Sequence, residues 1–202
     1  MIRMLALAAV IAAISVGSLT AAKKGDDGAP AFRDDFSAAK LGTQWTAPKG
    51  EWMVHDGALA GRELAADKHA AVLNLGIPNK DSRIHFRFQL DGAKGFNFSM
   101  NHAKGHLFRV NFKPDGLTVT TDKVKDDPAS KVETIAEATA KFETGHWYAV
   151  DVEMVGDHVS VKTDNGVAVE GSHRLLDTQK PNYRFVIRDG DLKLDDVAVW
   201  MK

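Results

Sequence analysis

"RIHFRFQLDGAKGFNFSMNHAKGHLFRVNF" (residues 83–112) changes chemical character at almost every second position. Ile84, Phe86, Phe88 and Leu90 fall on one side of an extended chain, and Arg83, His85, Arg87 and Gln89 on the other. The same period places Phe96, Phe98 and Met100 together, then Phe108, Val110 and Phe112. A period of two sustained over three segments predicts three half-buried strands.

Working outward, short alternating segments punctuated by turn residues recur along the chain. "EWMV" passes through "HDG" into "ALAG", "HWYAVDVEMV" meets "HVSVKTD" across Gly156-Asp157, and "YRFVIR" passes through "DGD" into "LKLDDVAVW". Asp-Gly and Asn-Gly favour such turns because they tolerate positive φ. Many short strands with no amphipathic helix of useful length predict an all-β antiparallel sandwich or barrel. Residues 131–142, "KVETIAEATAKF", fit a strand or a short helix, and the alternation of Val132, Thr134, Ala136, Ala138 and Ala140 favours an edge strand or irregular crossover.

Laid side by side as a meander, the three strands of residues 83–112 would gather one polar outer face. That face would contain His85, Arg87, Gln89, Asn97, Ser99, Asn101, Arg109 and Asn111. Forked guanidinium and amide donors suit vicinal hydroxyls or a carboxylate, so a carbohydrate ligand is expected there. A solvated face with cross-strand pairs is the plainer alternative, but amides are poor strand formers and call for a reason.

Two further constellations could carry chemistry. Asp151 and Glu153 share one face of a strand, roughly 6.5 to 7 Å apart at Cα, a spacing compatible with an acid pair in a glycosidase. Asp34-Asp35 and Asp195-Asp196 lie near the two ends of the domain. If the first and last strands are neighbours, these four acids could converge on a structural Ca²⁺, which takes six to eight oxygens; no cofactor is otherwise required. The eight His residues form no metal-binding spacing, and Trp52 and Trp147, each starting a strand, suit core or rim packing.

The N-terminal stretch "MIRMLALAAVIAAISVGSLTAA" has one Arg, an apolar run and small residues, the order of a cleaved signal peptide over residues 1–22. Secretion or periplasmic export is expected, with no membrane span left after cleavage. Residues 23–30 would form a polar tether and residues 31–202 a single domain. Without the leader the chain holds 25 Lys and Arg against 27 Asp and Glu, a net charge of −2 with His neutral. That balance and the lack of a basic run argue against nucleic acid. The absence of Cys excludes disulfides and thiolate metal sites.

Taken together, "FRDDFS", "LGTQW", "GEWMVHDGALAG", "HWYAVDVEMVGDHVSVKTDNG" and "KLDDVAVW" resemble the concanavalin A-like jelly-roll superfamily, near the laminin G-like and 3-keto-disaccharide hydrolase groups. The resemblance implies a jelly roll of two curved antiparallel sheets that binds ligands on the concave face or at its loops. It offers only Arg87 and Arg109 as matches to the hydrolase-like group's arginine. That group's Asn-Ser-Gly-Ile segment is missing, as is the Glu-x-Asp-x-x-Glu strand of family 16 glycoside hydrolases. The expected function is therefore an exported carbohydrate-binding module without catalysis. The alternatives are a glycoside hydrolase-like enzyme acting on glycosides or 3-keto sugars, and a structural or adhesion domain with a protein partner.

Overall fold

A computed structural model describes residues 28–202. The expected signal peptide over residues 1–22 and the first part of the expected tether lie outside the described residues. Fifteen strands follow one another: β1 (Phe32–Asp34), β2 (Trp45–Lys49), β3 (Glu51–His55), β4 (Ala58–Arg62), β5 (Ala71–Leu75), β6 (Ser82–Asp91), β7 (Phe96–His102) and β8 (Gly105–Lys113). Then come β9 (Gly116–Thr121), β10 (Thr134–Thr139), β11 (Trp147–Val155), β12 (His158–Thr163), β13 (Ala168–Ser172), β14 (Tyr183–Ile187) and β15 (Asp191–Met201). The helices among the described residues are two single 3₁₀ turns, Ala65–Asp67 and Arg174–Leu176.

The strands form two antiparallel sheets packed face to face. Sheet A runs β13-β12-β11-β6-β15-β4-β3, with β1 added beside β15; sheet B runs β10-β9-β8-β7-β14-β5-β2. The expected all-β sandwich is therefore present. Residues 131–142 contain the edge strand β10 rather than a helix, paired with β9.

The tight hairpins follow local turn chemistry. In β3–β4, His55 pairs with Ala58 across Asp56 and Gly57, whose φ angles of 51° and 72° give the positive-φ turn that matches strand twist. In β11–β12, Val155 pairs with His158 across Gly156, with φ 58°.

The proposed meander of residues 83–112 does not form. β6 lies in sheet A between β11 and β15, whereas β7 lies in sheet B between β8 and β14. The four residues between Asp91 and Phe96 turn the chain from one sheet to the other, at Gly95 with φ 147°. A Cβ on Gly95 would stand 2.4 Å from the Phe112 carbonyl oxygen, so only glycine fits this corner. The apolar sides of β6 and β7 meet across the core instead of sharing one face. Phe86 stacks on Phe98 at 5.4 Å between ring centroids, and Phe88 lies 4.7 Å from Phe96.

These rings sit in a continuous core with Phe112, Phe142, Tyr148 and Phe185. Fully burying one such side chain contributes about 1.5–3 kcal/mol, so alternating aromatics on both sheets weld the layers together. At one end Trp52 packs flat against the backbone of β4. A Cβ on Gly61 would come within 2.3 Å of the Trp52 ring. Trp45, 5% exposed, closes another part of the core against Phe32, Phe36 and Phe185.

Candidate functional site

Because the strands divide between two sheets, the eight residues expected on one patch occupy two opposite surfaces. His85, Arg87 and Gln89 are on the outer face of sheet A; Asn97, Ser99, Asn101, Arg109 and Asn111 belong to sheet B. The single contiguous patch is thus corrected to two polar faces, with the aromatic core between them.

On sheet A, strand register sets His85 beside Asp151, and Arg83 beside Glu153 and Trp200. The side chains then satisfy one another. Arg83 Nη1 donates to Asp151 Oδ1 at 3.1 Å, and His85 Nδ1 lies 3.3 Å from Asp151 Oδ2. The Arg83 guanidinium lies 3.9 Å from the centroid of the Trp200 ring, and that of Arg87 lies 5.1 Å from Trp147. Gln89 donates to the Gly145 carbonyl at 2.8 Å, and Glu153 pairs with Lys202 at 3.3 Å. The two acids considered for catalysis are therefore each occupied by a cation. A shallow cleft of about 330 Å³ between Arg33, Arg83, His85, Asp151 and Trp200 is lined by groups already paired.

The first and last strands are neighbours, which brings Asp35 within electrostatic reach of Asp195. β1 runs antiparallel to β15, with Asp34 opposite Val197. Their carboxylates nevertheless point to different partners. Asp34 accepts from Trp45 Nε1 at 2.8 Å and from the Phe36 amide at 2.9 Å. Asp35 accepts from the Ser37 amide, and hydrogen bonding to Ser37 holds its carboxyl below the usual range. Arg87 reaches both Asp195, at 3.4 Å, and Asp196, at 3.8 Å, while Arg33 reaches Asp196 at 3.5 Å. Burial pushes the Asp195 carboxyl up, and the like charge of Asp196 adds to it. Among the described residues no three His, Asp or Glu side chains converge as a metal site. The donor set does not fit a calcium cage, because arginines and an indole already fill the places of a cation.

Sheet B is built differently. Its register produces two rows across the strands: Thr120, Arg109, Ser99, Arg184 and Asn74 in one, all polar, and Thr118, Asn111 and Asn97 with the apolar Val186 in the next. A cleft of about 460 Å³ lies over these rows, within the roughly 300–1,000 Å³ of small-ligand sites. Arg109 is oriented by Asp122 at 2.8 Å, and Asn111 donates to Thr118 Oγ1 at 3.3 Å.

Arg184 is the central side chain that the sequence reading missed. It donates to Asn74 Oδ1 at 3.1 Å and to His106 Nδ1 at 2.8 Å. The same His106 Nδ1 also lies 3.0 Å from Asn101 Oδ1, so the ring is held between a guanidinium and an amide. Burial, then the charges of Arg184 and Arg109, push the His106 pKa down and keep the ring neutral at pH 7. Alternation in "YRFVIR" marks Arg184 as outward-facing, but no sequence signal says that β14 lies beside β7.

No family model and no curated protein matches this chain. Solved structures match its fold. A carbohydrate-binding module, CBM66 from Bacillus subtilis, aligns at 14% identity over 78% of this chain and 96% of its own, with a TM-score of 0.64. The laminarinase from Rhodothermus marinus aligns at 12% identity over 86% and 97%, with a TM-score of 0.65. A galectin-like protein of unknown function from Bacillus subtilis aligns at 10% identity over 86% and 96%, also at 0.65. The chain thus has the concanavalin A-like jelly-roll fold that the sequence motifs resemble; these alignments bear on the fold alone and do not confirm the 3-keto-disaccharide hydrolase group.

Proposed function

We propose that this chain is an exported carbohydrate-binding module without catalytic activity, and that the ligand lies on the outer face of sheet B. The observation that carries this reading is the cleft of about 460 Å³ floored by Asn97, Ser99, Arg109, Asn111 and Arg184. Fixed amide and guanidinium forks on rigid strands suit the paired hydroxyls of a sugar ring. The fold is used by a carbohydrate-binding module and by a laminarinase, which agrees with a carbohydrate-related role.

Binding is favoured over hydrolysis by the carboxylates. Most glycosidases place two carboxyl groups about 5 to 9.5 Å apart around the scissile bond. The lining of the sheet B cleft contains one, Asp189. Asp151 and Glu153 stand on the other sheet, each in an ion pair.

The test is a broad glycan array followed by titration calorimetry on the secreted protein, whose mass should place the N-terminus at Lys23. Joint Arg109→Ala and Asn111→Ala substitution should weaken binding of any captured glycan at least tenfold. Silence across the array, or unchanged affinity in that variant, would overturn the assignment.

A further inference from the structure

The near-neutral charge of the chain conceals a local imbalance. Lys94, Arg109, Lys113, Arg184 and Arg188 all line the sheet B cleft, against Asp189 as the one acid in that lining. These cations are scattered in sequence and are gathered by the pairing of β7 with β8 and β14. Asp122 compensates Arg109 at 2.8 Å. Arg184 has different company: Asn74 Oδ1, His106 Nδ1 and, at 3.5 Å, Asn101 Oδ1, all neutral. It sits half-buried at the middle of the sheet, where loss of water strengthens its field. Burial and the nearby Arg109 charge both disfavour its cationic form, while Asp122 only partly offsets them.

A guanidinium in this position gains most from an anion presented in its plane. A purely neutral sugar would cover it without supplying the missing charge. Arg188, Lys94 and Lys113 are exposed around the cleft and would attract the same charge at longer range.

We infer that the sheet B cleft selects saccharides bearing an anionic substituent, a carboxylate or a sulfate, and that Arg184 is the residue that pairs with it. The inference rests on the carbohydrate-binding reading above and names the ligand class of that same site.

The experiment compares the secreted protein's binding to an array of matched pairs, each an acidic glycan and its neutral congener. Uronic-acid glycans are paired with their carboxyl-reduced forms, and sulfated glycans with their desulfated forms. Polyglutamate serves as a polyanion without sugar. The expected result is at least tenfold tighter binding of the acidic member in one set of pairs, which identifies carboxylate or sulfate as the source. Arg184→Gln should remove that preference, and Arg184→Lys should keep part of it. Should Arg184→Gln fail to fold, the exposed pair Lys94→Gln and Arg188→Gln should still narrow the preference severalfold.

Equal binding within every pair would overturn the acidic selectivity and leave the carbohydrate reading standing. No glycan bound at all would overturn the carbohydrate reading itself. Polyglutamate bound as tightly as the best acidic glycan would overturn both, reducing the cleft to a non-specific anion surface.

Discussion

Tyr183 shows what burial does to a single polar atom in this sandwich. Its side chain is fully buried, its hydroxyl donates to Ser82 Oγ at 2.8 Å, and Ser82 in turn donates to Asn79 Oδ1 at 3.1 Å. Burial pushes the Tyr183 pKa up to about 12, because a phenolate there would lose its water. A folded-state value above the ordinary 10 means that the folded protein keeps its proton longer than the unfolded chain. The corresponding stability is complete below about pH 10 and is lost as pH rises toward 12. At about 1.4 kcal/mol per pH unit, the loss is on the order of 2 kcal/mol. Denaturant unfolding should therefore show wild type losing that amount between pH 10 and 12 relative to Tyr183→Phe. At neutral pH the variant should be about 1 kcal/mol weaker for its missing hydrogen bond. Parallel pH profiles for the two proteins would contradict this account. Lys180, whose pKa burial lowers, acts in the opposite sense below pH 10.5, and the comparison cancels its effect.

At the scale of elements, β15 explains why two adjacent aspartates interrupt an otherwise regular strand. Leu192 and Leu194 face the core, then Val197 and Val199 do, so one extra residue must be absorbed between them. The register with β6 shifts between Asp195 and Ala198, and Asp196 takes φ 49°. This is a β-bulge, and its irregular parity was visible in "LKLDDVAV" itself. The partners of its carboxylates were not visible, since Arg87 and Arg33 come from β6 and β1. With two arginines already compensating Asp195 and Asp196, calcium has little to offer. Melting curves with excess calcium and with EDTA should coincide within about 1 °C, whereas a site occupied a hundredfold above its Kd would add about 2.7 kcal/mol of stability. A clear calcium-dependent rise, abolished by Asp196→Ala, would restore the metal reading.

At the scale of the whole molecule, two polar faces lie on opposite sides of one aromatic core, and this separation makes a thermodynamic prediction. Sites farther apart than about 7–10 Å with no shared partners act additively. Asp151→Asn combined with Glu153→Gln on sheet A should leave glycan affinity within about twofold of wild type, while Arg109→Ala with Asn111→Ala on sheet B weakens it at least tenfold. Calorimetric titration of both variants and their combination would decide the matter. A loss of affinity in the sheet A variant would mean that the two faces communicate or that the ligand reaches both.

The same separation marks where sequence reasoning stops. Period-two alternation determined which residues of β6, β7 and β8 face inward, and the Asp-Gly turn determined the β3–β4 hairpin, because both depend only on neighbours along the chain. Alternation has no term for the sheet in which a strand lies. A strand beside its predecessor and a strand folded across the core from it have the same inward and outward pattern, and this chain changes sheet eight times. Whether Arg87 stands beside Arg109 or on the far side of the molecule was thus decided by the packing of Phe86 and Phe88 on Phe96 and Phe98. That long-range burial of apolar surface also brought Arg184, far along the chain, to the centre of the cleft.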